Sequence, residues 1–143
     1  MTKRMRRTAT ALAATVLLTA AGCGDDEDYA NEERPPAPIV VTAAITPSGV
    51  AVSPEKFGAG PINLIVTNQT ETSQQVTLET RDTSSGPGIT QRTGPINPRD
   101  TATLKADVPS GSYRVSVGAG SIDAATLEVG AERPSAQNEL LQP

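Results

Sequence analysis

Between Ile39 and Gly130 apolar and polar residues alternate along short runs, and clusters of Gly, Pro, Asn and Asp interrupt the runs about every 8–12 residues. Ile62, Leu64 and Val66 share one side of PINLIVT, and Val76 and Leu78 one side of QQVTLET. Ala102, Leu104, Ala106 and Val108 alternate with Thr101, Thr103, Lys105 and Asp107; Tyr113, Val115 and Val117 alternate with Ser112, Arg114 and Ser116. Ala125, Leu127 and Val129 close the series, which opens with Ile39, Val41, Ala43 and Ile45, a short Val50–Val52 piece following; a poorer run lies near Ile89 to Thr93. A period of two places one side of a strand in a core and the other in water, and no stretch here has the 3.6-residue period of a helix. Seven or eight such strands in about 90 residues predict an all-β Greek-key antiparallel β-sandwich over residues 39–130. Its core is aliphatic, since Phe57 and Tyr113 are its only aromatics, and the chain's single cysteine rules out an internal disulfide.

One corner reads in more detail. In Val108-Pro109-Ser110-Gly111-Ser112-Tyr113 a tyrosine follows a glycine by two residues at the start of a strand. This matches the tyrosine corner of Greek-key sandwiches, in which the phenol bonds to backbone a few residues upstream, and makes Gly111 and Tyr113 structural. Together with the early strand ending near Pro47, the Gly60-Pro61 pair leading into a strand that ends at Asn68, and the turn Pro95-Ile96-Asn97-Pro98 before Thr101–Val108, the domain resembles the cupredoxin-like sandwiches of bacterial envelope proteins. That resemblance implies a fold; it does not carry over the metal. A blue-copper site takes two His, a Cys thiolate and usually an axial Met. The chain has no His, its two methionines are Met1 and Met5, and its one cysteine is Cys23. No metal ligand, cofactor or blue-copper function is therefore expected.

The amino-terminal end carries an address. Lys3, Arg4, Arg6 and Arg7 open the chain without an acid, and Thr8 to Gly22 is uncharged but too short and weakly apolar to span a bilayer core of roughly 30 Å. A basic start, a short apolar run and a small-residue exit are expected of a signal peptide over residues 1–22. The exit, Leu18-Thr19-Ala20-Ala21-Gly22-Cys23, resembles the lipobox of bacterial lipoproteins, with Ala20 where leucine is more usual. The resemblance implies cleavage between Gly22 and Cys23, lipidation of the Cys23 thiol, and retention at the extracytoplasmic face of the cell membrane. Two or more acyl chains make a stable anchor where one is marginal.

Residues 23–38 read as a tether: six acids (Asp25, Asp26, Glu27, Asp28, Glu32, Glu33) and a proline cluster cannot bury a core. The four adjacent acids lack the spaced ligands of a calcium loop. Cleavage would remove four of the twelve basic residues and leave eight against sixteen acids, a net charge of −8. Such a chain is repelled by nucleic acid, and no nucleic-acid partner is expected. Residues 131–143 are polar apart from Leu140 and Leu141 and are expected to fray, a docking segment beyond Ser135 being the alternative.

Reactive chemistry is scarce. Without His there is no Ser-His or Cys-His pair. A Ser-Lys pair would need Lys56 or Lys105, and Lys105 falls on the polar side of its strand. Asn68-Gln69-Thr70 fits a glycosylation sequon by coincidence, and the recurrence of Gly60-Pro61-Ile62-Asn63 as Gly94-Pro95-Ile96-Asn97 reads as one turn used twice. The glycine-rich loops Ser84–Gly88 and Gly118–Ser121 lack the helix and lysine of a phosphate loop. No catalytic residue is expected. The expectation is a noncatalytic interaction or structural module of the cell envelope, held by its lipid and working with an envelope protein that its residues do not name. The competing expectation is an accessory solute- or metal-binding lipoprotein that serves a transporter and binds hard cations through carboxylates.

Overall fold

Alternation becomes burial most plainly in the run Thr101–Val108, where Leu104, Ala106 and Val108 are buried while Thr101, Thr103, Lys105 and Asp107 are exposed. The computed structural model describes residues 34–83, 87–118 and 121–135. Eight strands follow one another without a helix among the described residues: β1 Ile39–Ile45, β2 Val50–Ser53, β3 Lys56–Asn68, β4 Val76–Thr83, β5 Thr90–Arg92, β6 Thr101–Val108, β7 Gly111–Val117 and β8 Ala125–Glu132.

The long β3 belongs to two sheets. Its first residues, Lys56–Ala59, pair with β8, and its remainder pairs with β1 on one side and β6 on the other. The path runs β2-β1-β3-β8-β7-β4-β5, with β6 on the free side of β3. Inward residues of both sheets meet in one aliphatic core that includes Val41, Ile45, Leu64, Val66, Leu78, Val115 and Leu127, with Tyr113 as its largest side chain. Each such aliphatic is worth about 1.5–3 kcal/mol when taken out of water. Phe57 packs only at the margin.

The expectation of antiparallel pairing throughout needs correction. β1 and β3 are parallel, in register from Ile39↔Ile62 to Ile45↔Asn68, and so are β3 and β8. β2 folds back along one edge of β1, and the chain then returns on the other edge, so β3 repeats the direction of β1. Period two reports which side of a strand is wet, not which way its neighbour runs.

At the crossing between sheets the ladder shifts register between Gly58 and Ala59. Gly60 there has φ 124°, and a Cβ on it would lie 2.7 Å from Pro36 Cγ and 2.9 Å from the Arg133 guanidinium. Arg133 fills this corner. Its Nε donates to the carbonyls of Gly58 at 3.1 Å and Ala59 at 3.2 Å, and its terminal nitrogens donate to Pro61 O at 2.6 Å and to Ala37 O. Pro36 and Ser135 are buried beside it. The packed region thus extends past residues 39–130 at both ends: β8 runs to Glu132, and the segment around Pro36 and Ala37 is fastened by a side chain from beyond β8.

Candidate functional site

β3 ends at Asn68, and there the connections between strands gather. Gln69 N donates to Ile45 O at 2.8 Å, Asn68 N to Asp100 O at 2.9 Å and Arg99 N to Asn68 O at 2.8 Å. Gln74 and Ile96 exchange backbone bonds, and Gly49 bridges Asp123. The β1–β2 turn, the β3–β4 loop, the β5–β6 loop and the segment before β8 are stitched together at this end of the sandwich.

The Asn68 side chain, fully buried, is the hub. Its Oδ1 accepts from Thr70 N at 2.9 Å and from Thr70 Oγ1 at 2.7 Å; its Nδ2 donates to Thr72 O at 2.8 Å and Ile96 O at 2.9 Å. All four hydrogen-bonding positions of the amide are used. Gln74 Nε2 donates to Thr72 Oγ1 at 2.9 Å, and Thr93 Oγ1 accepts from Val76 N at 3.0 Å. Among the described residues, no buried side-chain polar atom lacks a partner. The network is a brace with no unspent donor or acceptor aimed at a ligand. It also disposes of the sequon, since a buried amide bonded on both sides is out of reach of a glycosyl donor.

Tyr113 sits at the opposite end. Its hydroxyl donates to Pro109 O at 2.7 Å, across a turn in which Gly111 has φ 152°. Burial raises the phenol pKa above its ordinary value; Asp107's charge adds to the rise, and a hydrogen-bonding contribution from Thr80 opposes it. Gly22 and Cys23, the expected cleavage and lipidation residues, lie outside the described residues, as do Asp25 to Asp28, Leu140 and Leu141. Lys56 and Lys105 are both exposed, and no cluster of three or more His, Cys, Asp or Glu side chains that could hold a metal occurs among the described residues.

No protein-family model matches the chain, and no curated protein does. Solved structures do. Auracyanin A, a "blue" copper protein from the green thermophilic photosynthetic bacterium Chloroflexus aurantiacus, superposes with a TM-score of 0.50 at 12% identity, over 66% of this chain and 100% of that one. Dithionite-reduced auracyanin from Roseiflexus castenholzii gives a TM-score of 0.46 at 12% identity, over 67% of this chain and 98% of its own. The domain is therefore an all-β sandwich of the cupredoxin kind. The copper of auracyanin A does not fit this chain: a blue-copper donor set draws on imidazole and thiolate, and residues 34–135 contain neither His, Cys nor Met.

Asn68 and Arg133 are the residues that a reading of the sequence passes over. Seven of their eight partners (Thr70 N and the carbonyls of Thr72, Ile96, Gly58, Ala59, Ala37 and Pro61) are backbone atoms, which leave no mark on a sequence. Asn68 and Tyr113 can each be tested by substitution. Asn68→Ala strips partners from Thr70 N and from two carbonyls, and urea unfolding should show a loss of about 3 kcal/mol; a loss under 0.5 kcal/mol would mean that the network carries no weight. For Tyr113 the folded-state pKa is raised, so its contribution is complete below the unfolded value of about 10 and is lost as pH rises through the folded value. Tyr113→Phe should cost about 1 kcal/mol at pH 7, and the gap between the variant and the parent in urea midpoint should narrow at pH 11. An unchanged gap would contradict the assignment.

Proposed function

We propose that this chain is a lipoprotein anchored through Cys23 at the extracytoplasmic face of a cell membrane, and that its sandwich is a noncatalytic interaction module. The observation that carries the reading is the placement of the chain's single cysteine directly after a basic start, an uncharged run and Ala20-Ala21-Gly22. Its support on the side of the domain is chemical: the buried polar side chains of the described residues are consumed in bracing loops, and beyond residue 22 the sequence has no His, no Met and no Cys besides Cys23, so neither a nucleophile-His pair nor a blue-copper set can be assembled. The hard-cation alternative finds no carboxylate cluster among the described residues to work with and is not taken further.

With Pro36 buried and Ala37 O held by Arg133, a tether from Gly24 to Glu33 would be ten residues long and reach about 35 Å at full extension. The domain would then stay within about its own length of the bilayer, close to membrane proteins and to other tethered copies. Fractionation of cells expressing Cys23→Ala tests the reading. The variant should leave the membrane fraction and keep the parent's melting temperature. Retention in the membrane fraction would overturn the anchor.

A further inference from the structure

Three strands pair with one neighbour only: β2, β5 and β6. β2 has four residues and β5 three, whereas β6 has eight and keeps an unbroken register with β3 from Gly60↔Val108 to Thr67↔Thr101. Shortness, prolines, bulges and charges are the usual protections of a sheet edge, and β6 carries only the charges of Lys105 and Asp107.

The hydrogen bonds at its start show which backbone groups it leaves open. Asn68 N donates to Asp100 O at 2.9 Å, one step beyond Thr67↔Thr101 in the same register. Bonded pairs in an antiparallel ladder recur at every second residue. Ala102, Leu104, Ala106 and Val108 therefore spend their backbone groups on β3, and those of Thr101, Thr103, Lys105 and Asp107 point away from it. Pro61 agrees: it lies level with Asp107, has no N–H to give, and its carbonyl is bonded by Arg133 instead. Thr101 N is taken by Asp100 Oδ1 at 2.8 Å. The outward N–H and C=O groups of Thr103, Lys105 and Asp107 have no backbone partner among the described residues. Space lies beside them. A depression of about 360 Å³ sits between Gln91 of β5 and Lys105, Ala106 and Asp107 of β6. A second, of about 460 Å³, shares Asp107 and is lined by Ile89, Val108, Pro109 and Glu132.

We propose that the outer edge of β6 takes up an extended peptide segment of another protein as an added strand. The proposal rests on the reading of the sandwich as an interaction module and gives that module a partner of definite chemistry. Main-chain bonds to Thr103, Lys105 and Asp107 supply the affinity, and alternate side chains supply the choice. Lys105 and Asp107 stand two residues apart on the exposed side of β6, so the complementary strand carries an acid opposite Lys105 and a base opposite Asp107. The residue between them on that strand faces the other way, opposite the small Ala106, and enters the gap beside Gln91. The next on the same side lies opposite Val108, where Ile89 and Pro109 favour an apolar side chain. A second copy of the chain would also set a lysine against an aspartate, but it would have to seat a whole domain for the sake of three edge residues. A peptide has no such burden.

Two fluorescent peptides test this on the full-length chain purified in detergent: Thr-Val-Glu-Val-Lys-Val-Thr, and the same peptide with Glu and Lys exchanged, one for each strand direction. One of them should bind below about 1 mM. In the NMR spectrum the amides of Thr103, Lys105 and Asp107 should shift and gain protection from hydrogen exchange. Lys105→Pro removes an outward N–H without touching the ladder to β3 and should weaken binding about tenfold. Asp107→Lys keeps the backbone intact; it should weaken binding by a similar factor and restore it for a peptide with glutamate at both charged positions. Circular dichroism melts check that both variants fold. Binding of neither peptide, equal binding by the parent and both variants, amide shifts confined to other strands, or an edge closed by self-association of the chain would each overturn the proposal. A partner protein crosslinked only through another surface would overturn the edge and leave the module reading standing. Fractionation of Cys23→Ala reads the anchor separately, so edge and anchor can fail independently.

Discussion

One strand has to serve two sheets, and the contacts that allow this organise the molecule. Where β3 passes from β8 to its place between β1 and β6, backbone carbonyls leave the regular ladder, and a buried carbonyl without a partner costs about 1–3 kcal/mol. Arg133 answers with a planar fork of donors that reaches Gly58, Ala59 and Pro61 together, which a lysine ammonium on its flexible stem would do less well. Gly60 makes room for it, since a Cβ there would strike both the guanidinium and Pro36. The same guanidinium holds Ala37, so the bend in β3 also fixes where the chain enters the domain.

At the far end of β3, Asn68 does for the loops what Arg133 does for the bend. Two polar side chains, each bonded mainly to backbone, thus brace the central strand, Arg133 at its bend and Asn68 at its end. The loops at this end are held by an amide network with bonds internal to the chain. The buried side-chain polar groups of the described residues are all engaged within the chain.

Much of this was legible in the residues. Alternation marked the strands, turn residues marked their ends, and Pro109-Ser110-Gly111-Ser112-Tyr113 marks a corner in which the phenol does reach Pro109 O. Strand direction was not legible, because half-buried parallel and antiparallel strands share one period. Nor were the domain's edges: Pro36 and Ser135 are buried in stretches without alternation, and Ala37, next to Pro36, is held by Arg133 from far along the chain. Asn68 was visible as a strand end and as a sequon, yet its role lies in bonds to the carbonyls of Thr72 and Ile96.

If polar braces of its own hold this fold, its stability does not depend on copper. Thermal unfolding of the protein in a chelator and in excess Cu²⁺, with the visible spectrum recorded alongside, tests this most directly. The melting temperature should be the same in both, within about 1 °C, with no intense visible band. A ligand present at a hundredfold its dissociation constant would add about 2.7 kcal/mol, several degrees for a domain of this size; such a rise together with a blue charge-transfer band would contradict it.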